Sequence, residues 1–98
     1  METRKIYYEN CMLREFNAQV LDCREENGRY RVLLDATAFY PEGGGQAGDT
    51  GTLGTVRVLD TREEGETVVH LCDGALTVGE TVEGVIDFER RFDLMQQH

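Results

Sequence analysis

Residues 16–35 read Phe16-Asn17-Ala18-Gln19-Val20-Leu21-Asp22-Cys23-Arg24-Glu25-Glu26-Asn27-Gly28-Arg29-Tyr30-Arg31-Val32-Leu33-Leu34-Asp35. The first eight alternate apolar and polar side chains, the period of a strand with one buried face. Asn27-Gly28 is a two-residue hairpin signal, because both residues tolerate the positive φ that a type I′ turn requires. Arg29–Asp35 then returns as the second strand. The same pattern continues downstream. Thr55–Thr61 reads as a strand, Glu64-Gly65-Glu66 turns the chain into Thr67–Cys72, and Asp73-Gly74 closes that strand. Leu76–Asp87 has the look of the later strands of a small barrel. Short strands at this spacing, with no helical period between them, predict an all-β fold: a small antiparallel β-barrel.

The only boundary signal lies at Asp87, a plausible helix N-cap. Beyond it, residues 88–98 contain no Gly, Pro or β-branched residue, and Phe88, Phe92 and Met95 fall on one helical face. The expected division is therefore a barrel over residues 1–87 and the start of a helix over 88–98, cut off in progress.

With 98 residues, 40% of them apolar, the chain is one domain with a modest core. Its net charge of -9 argues against a protein that grips nucleic acid by phosphate neutralisation alone, which needs clustered Lys and Arg. Any RNA contact is expected to lie mostly elsewhere, and no DNA partner is expected. Cys11, Cys23 and Cys72 show no C-x-x-C spacing and read as ordinary thiols in a reducing compartment. No leader or membrane-spanning window is visible, so a cytoplasmic protein without a membrane partner is expected.

Five of the eleven glycines fall within residues 43–51, in Ala38-Phe39-Tyr40-Pro41-Glu42-Gly43-Gly44-Gly45-Gln46-Ala47-Gly48-Asp49-Thr50-Gly51. The G-x-G-x-x-G match at Gly43–Gly48 lacks the following helix that a dinucleotide site needs. Asp49-Thr50-Gly51 matches the tripeptide of retroviral-type aspartic proteases, but no apolar strand precedes it. His70, between Val69 and Leu71, is expected on the solvent side or at the barrel rim. Read from residues alone, the cluster is either an elaborate turn or a loop whose backbone must approach a ligand closely. Absent side chains permit that approach, successive N–H groups can cradle an anion or carbonyl, and Gln46 adds an amide.

The run from Asp35 to Gln46 resembles the D-x-T-x-F-Y-P-x-G-G-G-Q signature of the alanyl-tRNA editing family, which comprises the editing region of alanyl-tRNA synthetase and the stand-alone alanyl-tRNA editing proteins. Gly48-Asp49-Thr50-Gly51, His70, the Gly79…Val82…Gly84 spacing and Ile86–His98 continue the likeness, while Ala47 stands where that family usually has proline. The resemblance implies a barrel like the second domain of translation elongation factors, followed by a zinc-dependent editing domain of which residues 88–98 are the first helix. It implies hydrolysis of mischarged Ser- or Gly-tRNA(Ala), with aminoacyl-tRNA(Ala) as partner. His98 corresponds to the first histidine of an H-x-x-x-H zinc pair whose second member would lie four positions further on. Gly43, Gly44, Gly45 and Gln46 would line the pocket, and Thr37 would meet the substrate side chain. This fragment alone is expected to be inactive. The closeness of Met1 to the first main strand favours a stand-alone parent. The alternative is a non-catalytic, elongation-factor-like barrel that binds RNA or protein.

Overall fold

A computed structural model describes residues 3–9, 13–43 and 47–87. Its elements are β1 (Arg4–Lys5), α1 (Ile6–Glu9), β2 (Glu15–Glu26), β3 (Arg29–Leu34), β4 (Ala36–Thr37), β5 (Gly51–Leu53), β6 (Val56–Glu64), β7 (Thr67–Cys72) and β8 (Thr81–Ile86). Six strands pair in the order β2-β3-β7-β6-β5-β8, and β8 pairs back onto β2 to close the ring. Every contact in that ring is antiparallel. The fold is all-β, as the alternation and turn spacing predict. The helix expected over 88–98 lies outside the described residues.

The Asn27-Gly28 turn joins β2 to β3, with φ of 55° at Asn27 and 81° at Gly28. Positive φ at both positions matches the turn's twist to that of the strands. Phe16, Ala18 and Val20 point inward from β2. Between Val20 and Asp22 the register slips by one residue, so Cys23 is the next side chain to pack on the core. The same device occurs in β6, where a slip between Val58 and Asp60 changes the inward set from Val56 and Val58 to Thr61. A bulge adds one residue, which reverses the facing of everything after it.

The core joins Phe16, Val20, Val32, Leu34, Phe39, Leu53, Val58 and Ile86 among others. Phe39 presents its ring edge-on to Phe16, centroids 5.6 Å apart. Truncating a phenylalanine buried this completely costs about 3–5 kcal/mol. Outside the barrel the N-terminal segment is strapped down: β1 pairs in parallel with β4, Thr3 N–H donates to the Glu66 carbonyl, and Val68 N–H donates to Thr3 Oγ1.

Three details differ from the sequence reading. Leu76–Glu80 is not strand: the chain turns at Thr77–Glu80, where Glu80 N–H donates to the Thr77 carbonyl and Gly79 takes positive φ, and only Thr81–Ile86 is strand. The short strands β1, β4 and β5 carry no alternation and were not expected. His70 is completely buried rather than exposed or at the rim. Its strand is covered on both faces, with Val68, Val69 and His70 all buried, so alternation gave no guide to the inward side.

Candidate functional site

The glycine-rich loop follows β4, which pairs with β1 outside the ring, and enters the barrel at β5, and its two arms form a clamped neck. Asp35 starts the clamp, its Oδ1 accepting from Gln19 N–H at 2.9 Å while its own N–H donates to the Gln19 carbonyl. On the outgoing arm Ala38 and Phe39 are buried, and Tyr40 is half exposed. Tyr40 N–H donates to Asp49 Oδ2 at 2.7 Å, and Asp49 N–H returns to the Tyr40 carbonyl at 2.9 Å. The arms are thus stitched directly to each other.

They are also stitched to β6. Glu42 N–H donates to the Thr61 carbonyl, Thr61 Oγ1 donates to the Asp49 carbonyl, and Gly48 N–H donates to Asp60 Oδ1. Asp60 can make that bond because the β6 bulge turns it there; the same oxygen accepts from Thr61 N–H. Two glycines answer to close approach. A Cβ on Gly48 would collide with the Thr61 carbonyl, and one on Gly51 with the Val85 carbonyl. Gly43 differs, since nothing lies within 4 Å of where its Cβ would be. The glycines at the neck serve packing, while Gly43 faces open space. Gly44, Gly45 and Gln46 lie outside the described residues, as does His98.

Thr37 is fully buried beneath this neck. Its Oγ1 lies 2.8 Å from His70 Nε2 and accepts from Phe39 N–H at 3.1 Å. His70 Nδ1 lies 3.0 Å from the Val32 carbonyl, and its ring meets Phe39 edge-on with centroids 5.5 Å apart. Burial pushes the His70 imidazole down to about 4, against the opposing pull of the Val32 hydrogen bond, so it is neutral at physiological pH. Sequence reasoning named Thr37 but missed Asp35, Asp49, Asp60 and His70 as its framework. The available signal was the habit of Asp of capturing backbone amides around turns.

Residues 2–90 match the family model described as tRNA synthetases class II (A). The chain belongs to that family. Among similar curated proteins are the alanine--tRNA ligases of Thermofilum pendens, 52% identical, and Ignicoccus hospitalis, 44% identical, each match covering 98% of this chain. That of Methanospirillum hungatei is 47% identical over 99% of the chain. The chain spans 11% of the length of each of these relatives. It is an alanyl-tRNA synthetase-related domain.

Against that family background the surface charge is informative. Arg4, Lys5, Arg24, Arg31 and Arg62 each face a carboxylate within 3.5 Å, namely Glu9, Glu63, Asp22, Glu64 and Asp60 in turn. Exposed pairs of this kind are worth about 0–1 kcal/mol each. Asp49, the residue of the protease-like tripeptide, is buried with a carboxylate oxygen committed to Tyr40 N–H. Among the described residues no three His, Cys, Asp or Glu side chains converge as metal ligands. Cys23 and Cys72 are free thiols, and burial pushes the Cys72 thiol up to about 12.

Proposed function

We propose that this domain serves alanyl-tRNA editing, with its glycine-rich loop forming one wall of the pocket in which mischarged Ser- or Gly-tRNA(Ala) is hydrolysed. The observation that carries the reading is the combination of alanine--tRNA ligase relatives over the whole chain with a rigid neck presenting an unobstructed Gly43. A wall of this kind admits backbone contact with an aminoacyl ester and excludes water, while the Gln46 amide supplies a donor and an acceptor to orient it. The relatives named above are ligases, so the reading does not depend on a stand-alone parent.

The described residues do not by themselves fit a zinc centre. His98, the ligand that the resemblance supplies, lies outside them. No catalytic step is therefore assigned to the barrel, whose task is to shape and position. Thr37 has no exposed surface, and we place its contribution beneath the loop rather than at the substrate side chain.

The test is single-turnover deacylation of Ser-tRNA(Ala) by the full-length protein, by Gly44→Ala and Gln46→Ala variants of it, and by these 98 residues alone. Misplacing a reacting group by about 1 Å can cost on the order of a hundredfold in rate. Both variants should lose activity on that scale with unchanged melting temperature and metal content, and the isolated chain should match buffer. Full activity in both variants removes the loop from the pocket. A full-length protein with no deacylase activity leaves the non-catalytic binding barrel.

A further inference from the structure

We infer that His70 is a positioning residue for the glycine-rich loop: through Thr37 it fixes the backbone of Phe39, and with it the neck from which the loop extends. The use made of the loop rests on the editing reading above; the positioning stands on geometry alone.

A carbonyl oxygen only accepts, so the 3.0 Å contact to Val32 places the imidazole proton on Nδ1. Nε2 is left with a lone pair, and the Thr37 hydroxyl 2.8 Å away must donate to it. With its proton committed, Oγ1 accepts the Phe39 N–H at 3.1 Å. The result is a one-way chain of donors from Phe39 N–H through Thr37 and His70 to the Val32 carbonyl. It ties the outgoing arm of the neck to the middle of β3.

His70 is well placed to anchor it. The register sets it between Val32 on β3 and Thr61 on β6, and Thr61 itself bonds the loop through the Asp49 and Glu42 backbone. Phe39 is held twice, by its amide through Thr37 and by its ring against the imidazole. The next residue, Tyr40, carries both bonds that join the arms. Filling a barrel interior needs no polar groups, and aliphatic side chains would do so without the cost of burying them. Phe39 N–H is the backbone group that this buried pair serves, and it directly precedes Tyr40, whose two bonds join the arms.

Nitrogen-15 NMR of the 98-residue chain tests this. The unsubstituted chain should show His70 in the Nδ1–H form at neutral pH, a reading that requires no variant. Thr37→Val keeps the shape and removes the acceptor. Amide exchange at Phe39, Tyr40, Gly48 and Asp49 should then speed up by about tenfold or more, with Ala18 and Val82 across the barrel changing by less than about twofold. Thr37→Ser, which retains the hydroxyl, should restore protection. An Nε2–H tautomer overturns the proposal. So does exchange that rises evenly over the barrel, the mark of a residue that only fills the core, or a serine that fails to rescue. The same substitutions in the full-length protein separate the two readings. Deacylation falling with Thr37→Val and returning with Thr37→Ser supports both, whereas a loosened neck with full deacylation keeps the positioning and removes the editing use of the loop.

Discussion

At the scale of single residues, the glycines of the loop divide by what lies opposite them. Gly48 and Gly43 are five positions apart in one glycine-rich loop, yet a methyl group on the first meets a backbone carbonyl and on the second meets nothing. The colliding carbonyl belongs to Thr61, which also accepts from Glu42 N–H, so it cannot retreat without opening the neck. Gly48→Ala should destabilise the chain by about 1–3 kcal/mol, and Gly43→Ala should stay within about 0.5 kcal/mol of the parent. Urea melts of the two variants side by side check this, and equal costs would mean the neck is not packed as described. This distinction was not legible beforehand. A run of glycines announces close approach or a turn, but the approaching strand lies elsewhere in the chain, and only the fold brings Thr61 to Gly48.

Elements were more legible where their cause is local. The β2–β3 hairpin follows from alternation and from Asn27-Gly28, and both are visible within residues 16–28. Gly28 sits at φ 81° with open space around its Cβ position, so a substitution there tests conformation without collision. Gly28→Ala should cost about 1–2 kcal/mol, the price of a left-handed alanine. A melting temperature equal to that of the parent would show that the turn is not type I′. Pairings made at a distance were hidden. β1 and β4 are two residues each and meet in parallel across the fold, and β5 is three residues wedged between β6 and β8. None is long enough to display a period. The bulges were hidden for a related reason: an extra residue in β6 looks like a fault in the alternation, although it is what aims Asp60 at the loop.

For the whole molecule, acid stability brings the buried network and the surface charge into opposition. His70 has a folded pKa of about 4, below its unfolded value of about 6.5. Between those values the unfolded chain binds the extra proton, so stability contributed by the neutral imidazole is complete above about pH 6.5 and drains away as pH falls to about 4. The full shift corresponds to roughly 3 kcal/mol. Meanwhile the net charge of -9 is titrated toward zero, which relieves self-repulsion and acts in the opposite sense. A His70→Asn variant retains the second effect and loses the first. Subtracting its stability profile from that of the parent should leave a fall confined to pH 6.5–4; parallel profiles would show that His70 is not buried as a neutral base. Ring closure has a consequence of another kind. Among the described residues β8 is the last barrel strand, yet it lies between β2, where Glu15 is paired with Val85, and β5, where Gly51 is paired with Ile86. A ribosome adds about 5–20 residues each second, so during synthesis β2 and β5 wait as two unpaired edges for a strand still inside the exit tunnel. The ring can close only once that strand is available, so Thr81–Ile86 supply the pairings that complete the barrel as the chain is made.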